Sequence, residues 1–391
     1  MKRTRSPRRT KQLPYTETLI RVAENLAQSS SRIEDAWWET QLTTLIHQLL
    51  TEGDDTALLA ALDHLYGVGI GGRAYDELAD LAESCCESTY TKAINGQDVV
   101  MFAAPVLAWS RYLVPSGQIS DDILTNLRIH LQAHVLAADT HLGLTDFLWS
   151  PDQLPTGYVD TARLFEKLTK TALHDKNLKI DASTLPETVS FLSDTRYLVG
   201  AVTVPLGQPL FRWQESDSNR DSVTKQWASQ GGEAIRPMMP ACAIELLLPQ
   251  SYHAAILDAD YASRAYSLRA ALAFLQMTLN LPAAHFRAVV APYADHQIEE
   301  YRIGFTLRNS TDVVHGVVWP LLENENEMLD TPAQIDSVLR EIGIGDVMIL
   351  EHRFPMEFCD DCGAPLYPNP DGEPSHAELP EMDDSAPRLL H

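Results

Sequence analysis

Apolar residues recur at helical spacing through the first half of the chain. Leu19, Val22, Ala23 and Leu26 share one face, as do Leu42, Leu45, Ile46, Leu49 and Leu50. Gly53 stops the second helix and Asp54 and Asp55 open a third, in which Leu58, Leu59, Leu62 and Leu65 repeat the stripe. The same pattern predicts helices over 73–93, 98–113, 120–141 and 158–174, with Pro14, Pro115, Pro151, Pro155 and Pro186 at ends and joints. Residues 15–186 therefore read as an all-helical domain, an irregular bundle with short connections; a stack of helix pairs is the alternative.

Past Pro186 the texture becomes β-rich. Tyr197–Val204 reads as a strand, Pro205–Pro209 as a turn and Leu210–Trp213 as a returning strand, with a further strand over 241–248. A long helix is expected over 251–281, then strands near 286–291, 298–308 and 312–319, a helix over 332–342 and a strand over 346–353. Residues 187–356 thus form a mostly antiparallel α+β domain, between a basic arm at 1–14 and an acidic tail at 357–391. Ala201-Val202-Thr203-Val204-Pro205 and Ala288-Val289-Val290-Ala291-Pro292 match in type, which keeps an internal duplication open beside the alternative that buried strands reuse the same residue types.

Composition narrows the function classes. With 391 residues and 45% hydrophobic content the chain can bury sizeable cores, and its formal charge of −24 repels nucleic acid and anionic membrane over most of the surface. No long apolar run predicts a membrane span, and the basic start lacks the apolar region of a secretory signal. Five cysteines, an odd and sparse set, fit a cytoplasmic protein rather than a disulfide framework. Residues 2–11 carry six positive charges and no negative one; the arm either contacts RNA or another polyanion or is a solvated tail. No aromatic interleaves its arginines for base stacking, which favours the solvated tail.

The most specific local signal is Cys359-Asp360-Asp361-Cys362-Gly363, a zinc-knuckle-like turn in which two sulfurs can converge on one ion and Gly363 supplies a left-handed backbone after the second ligand. Zinc takes about four ligands and no second CxxC exists. His352 and His376 are therefore the expected partners of Cys359 and Cys362, with Cys242 and Glu378 in reserve. A redox dithiol and plain free thiols are the other readings; Pro365, Pro368 and Pro370 forbid the helix that a thioredoxin-like dithiol opens. The flanking Asp360 and Asp361 are expected to raise the thiol pKa values.

Weaker constellations remain. His130 and His134 share a helix face at metal-pair spacing, with His141 near the same stripe, but Leu131 stands where a metalloprotease motif needs Glu. Asp76, Asp80, Glu83 and Glu87 form an acidic stripe, read as a solvated face or a contact for a basic partner. Gly67–Arg73 follows a helix and lacks a GK[ST] ending, so it reads as a connection rather than a phosphate loop.

Trp37-Trp38-Glu39, the stretch from His130 to Asp139, Phe211–Glu215 and the Cys359–Pro368 segment together resemble an uncharacterised bacterial protein family, a domain of unknown function spanning nearly the whole chain. The resemblance implies a cytoplasmic bacterial protein and carries no activity or catalytic residue. The functional expectation is a non-enzymatic binding or regulatory protein with a structural zinc clasp. It would have a protein partner or form a homodimer that completes the knuckle across its interface. The alternatives are a metal-dependent hydrolase or transferase using His130 and His134, and polyanion contact through residues 2–11.

Overall fold

The N-terminal stripes fold as their periodicity requires. A computed structural model describes residues 9–67, 72–89, 94, 96–188, 191–322, 325 and 330–380. Helices α1 (Arg9–Ala27), α2 (Arg32–Glu52), α3 (Thr56–Gly67) and α4 (Gly72–Glu87) bury Leu19, Leu26, Leu42, Ile46, Leu58 and Leu78 in one shared core. Ser31 caps α2 by accepting the Glu34 amide, and Gly53 ends it at φ 70, its N–H reaching the Leu49 and Leu50 carbonyls. Most of the basic arm, residues 1–8, and the core of the Gly67–Arg73 stretch lie outside the described residues.

The all-helical reading fails over 98–113 and beyond His134, while the expected helix over 158–174 does form, at Tyr158–Ala172. The expected helix over 98–113 is strand β1 (Gln97–Trp109). After β2 (Gly117–Gln118), the expected helix over 120–141 stops at α5 (Asp121–His134), and the chain continues as β3 (His141–Trp149). The N-terminal half is therefore not all-helical. The physical reason is burial on both faces: every residue from Met101 to Ala108 is buried, so β1 shows a continuous apolar run rather than alternation. Pro105 is tolerated in this inner strand where the neighbouring β5 (Ala243–Leu246) gives way to β6 (Gln250–Ser251). It takes part there through its carbonyl, which accepts from Leu247 at 2.9 Å.

Helix α6 (Tyr158–Ala172) and strand β4 (Ser193–Pro205) follow β3. The first sheet runs β2-β3-β4-β1-β5, with β6 also on β1, and all its pairs are antiparallel. Beyond β4, Leu210–Trp213 is not a strand; Arg212–Gln214 forms a 3₁₀ turn, followed by the short helices α7 (Arg220–Gln226) and α8 (Gly232–Ile235).

Helix α9 (Tyr252–Leu279) joins the two sheets. Its first turns pack Tyr252, Ala255 and Ala259 on the first sheet, and its later turns pack Leu268, Leu272 and Leu275 on the second. The second sheet comprises β7 (Phe286–Ala294), β8 (Ile298–Leu307) and β9 (Val313–Pro320). Helix α10 (Thr331–Glu341) then leads to β10 (Asp346–Ile349) and β11 (Phe354–Pro355), both parallel to β7. Its order, β10-β7-β8-β9, and its mixed pairing differ from the first sheet, and no strand follows the turn after β4. The duplication suggested by the two valine-rich segments is thus not built into the fold.

Alternation along β8 sets up the site. Tyr301, Ile303 and Phe305 face the α9 and α10 core, which leaves Arg302, Gly304 and Thr306 on the opposite face. The tail covers that second face with the hairpin β12 (Tyr367–Pro368) and β13 (Pro374–Ser375). No helix among the described residues is long and apolar enough to cross a membrane.

Candidate metal centre

The knuckle is a small hairpin. Phe358 bridges Pro365, the Cys359 amide donates to the Ala364 carbonyl at 2.7 Å, and the Gly363 amide returns to the Cys359 carbonyl at 2.8 Å. Gly363 sits at φ 72, the left-handed conformation that the motif requires. This turn places the donor atoms of Cys359 and Cys362 in one group with His376; all lie within 4.8 Å of one another. The Cys362 Sγ stands 3.3 Å from His376 Nε2. Ligand distances of about 2.3 Å for sulfur and 2.1 Å for nitrogen around a tetrahedral ion imply a separation of roughly 3.6 Å, so the spacing suits zinc.

His376 reaches the knuckle because the chain doubles back through β12 and β13. Asn369, nearly buried, organises that reversal: its side-chain oxygen accepts the Asp371 and Glu373 amides and its Nδ2 donates to Ser375 Oγ at 3.1 Å. The Glu378 amide then bonds the Val313 carbonyl at 2.8 Å, fixing the segment beyond His376 to β9. Glu378 Oε1 lies 3.6 Å from His376 Nδ1, on the side of the ring away from the sulfurs. A carboxylate there orients a ligating imidazole and raises its basicity.

The electrostatics differ from expectation. The Cys359 thiol is held below its usual range, because the backbone N–H groups of Cys362 and Asp361 point at its sulfur and Cys362 adds a side-chain bond. The charge of Asp361 pushes the other way and is outweighed. Asp361 thus raises this thiol as expected, but the hydrogen bonds of the turn prevail and the net shift is downward, which favours the thiolate that a metal needs.

Other sequence candidates fall elsewhere. His352 lies outside the donor group, its ring 4.3 Å from that of Phe354. Cys242 is buried near the first sheet, its Sγ 3.7 Å from the carbonyls of Leu113 and Pro240. Cys85 and Cys86 are buried and free, and burial pushes the Cys85 thiol up to about 12. His130 and His134 stack at 5.8 Å on α5, yet among the described residues no third histidine, cysteine or carboxylate joins them. His141 instead bonds Asp175 at 2.6 Å. In the acidic stripe Glu87 is buried rather than solvated, accepting both the amide and Nδ1 of His253 at 2.9 Å.

Sequence reasoning missed Arg302, the Gly304–Gly316 pair and Asn369. The signal was available for the glycines: one stands inside each of two adjacent strands, where the absence of a side chain often marks close approach of another segment.

The chain belongs to the family described as protein of unknown function (DUF2863), whose model matches residues 4–389. No curated protein and no solved structure matches it.

Proposed function

For this member of the family we propose a non-enzymatic binding or regulatory role, with a zinc clasp formed by Cys359, Cys362 and His376. The observation that carries the reading is the convergence of three donors, from two chain segments, at spacings that one tetrahedral ion can span. The ion would tie the knuckle to the Pro374–Glu378 segment. It would also neutralise two thiolates in a stretch, 354–380, that holds six carboxylates and no lysine or arginine. Cys362 and His376 are exposed, so a fourth ligand can come from solvent or from a partner, a second copy of the chain included. Five free cysteines support a reducing, cytoplasmic setting.

Cobalt(II) substitution tests the reading. Thiolate-to-cobalt absorption is expected in the wild type, weakened by more than tenfold in apparent affinity in each of Cys359→Ser, Cys362→Ser and His376→Ala. Equal binding by all three variants would contradict it.

A further inference from the structure

The knuckle rests on a buried cation. Arg302 is fully buried on the face of β8 turned toward the tail. Its Nε donates to Glu300 Oε1 at 2.6 Å, its Nη1 donates to the carbonyls of Glu357 at 2.6 Å and Leu366 at 2.9 Å, and its Nη2 faces Met356 Sδ at 3.9 Å. The guanidinium carbon lies 4.1 Å from the Tyr293 ring centroid and 5.0 Å from that of Phe358. Glu357 and Leu366 are the two ends of the hairpin that carries Cys359 and Cys362, joined to each other by the Leu366 amide. One side chain from the sheet therefore grips both ends of the turn that presents the sulfurs.

We propose that Arg302 is a positioning residue for the metal centre: it sets the knuckle to ligating geometry before the ion arrives, and so sets metal affinity from the sheet beneath. The inference rests on the reading of Cys359, Cys362 and His376 as a metal centre. A guanidinium serves several acceptors in fixed, coplanar directions, which an ammonium cannot reproduce. The His376 side is anchored separately, through Asn369 and the bond from Glu378 to Val313. Both halves of the site are thus held by contacts that involve neither sulfur nor imidazole. In many small metal sites binding energy is spent on folding; here the ion joins two segments already docked. Glu300 compensates the charge of Arg302 and makes no bond to the hairpin carbonyls, which separates its role from that of the guanidinium.

The test has two arms on the full chain. In wild-type protein held with chelator, hydrogen exchange at the Cys359 and Leu366 amides is expected to be slow, and to slow little further on adding zinc. Fast exchange that only zinc suppresses overturns the proposal. In the second arm, cobalt(II) affinity is measured by chelator competition in Arg302→Lys and in Arg302→Met combined with Glu300→Gln, the latter leaving no buried unpaired charge. Both are expected to bind about 10- to 100-fold more weakly, with thiolate-to-cobalt absorption retained at saturation, whereas Glu300→Gln alone stays within about threefold. A folded Arg302→Lys protein that binds cobalt as tightly as wild type overturns the role of Arg302 alone. Absence of thiolate-to-cobalt absorption in wild type removes the metal centre and this inference with it.

Discussion

Gly304 and Gly316 face each other across β8 and β9, and the tail uses the space they leave. A Cβ on Gly304 would stand 2.3 Å from the Pro368 carbonyl oxygen, and one on Gly316 2.3 Å from the Tyr367 ring. Tyr367 lies on this seat, and burial, opposed by the charge of Arg302, pushes its phenol up to about 12. Neither contact can relax cheaply, since one partner is backbone and the other a packed ring. Gly316→Ala is therefore expected to destabilise the protein by about 1–3 kcal/mol in urea unfolding and to expose the tail to protease before the sheets unfold. Unchanged stability with an equally resistant tail would show that Tyr367 is not seated there. The same residues bear on what the sequence could tell: Cys359 and Cys362 stood out by their spacing, while His376 was one of two nearby imidazoles and nothing in the spacing set it apart from His352. Arg302 and the glycines were not legible, because a strand's alternation says which residues share a face but not what covers it.

At the level of elements, the pattern of apolar positions was sufficient wherever one face of an element meets water. The stripes of α1 to α4 were legible for that reason, whereas β7 and β8, buried along most of their length, were legible as short runs of β-branched and aromatic residues. It failed for β1, buried on both faces, and at the end of α5, where Val135 and Leu136 continue the apolar run although the helix has stopped. The turn from α6 back to β3 offers a check on local energetics. Asp175, at φ 53 just past α6, accepts the Leu142 amide at 2.9 Å and His141 Nδ1 at 2.6 Å. Partial burial pushes its carboxyl up, but those two bonds and the nearby Arg128 outweigh it and hold the pKa below the ordinary value. A depressed folded-state pKa contributes stability that is complete above the unfolded value, about 3.9, and is lost as pH falls through the folded one. Wild type should accordingly exceed Asp175→Asn in stability above about pH 4, by less than about 1 kcal/mol because the group is 44% exposed. The gap should close in acid; a gap constant down to about pH 2 would assign it to some other cause.

Across the whole molecule, a four-helix unit and two sheets are strung on one long helix, and the acidic tail closes over the second sheet. Its docking contacts are the buried guanidinium, the glycine seat and the bond from Glu378 to Val313, so the tail is attached without need of an ion. Chelation is therefore expected to leave the unfolding midpoint of the two sheets within about 2 °C, which differential scanning calorimetry can resolve; collapse of the main transition on chelation would place the ion in the core of the fold instead. The most direct measurement of the central claim is the zinc content per chain of purified wild-type protein, beside Cys359→Ser/Cys362→Ser and His130→Ala/His134→Ala. About one zinc is expected in the wild type and the α5 variant, and almost none when both thiols are replaced. Zinc that survives loss of both thiols, or that leaves with the α5 histidines, would contradict that claim.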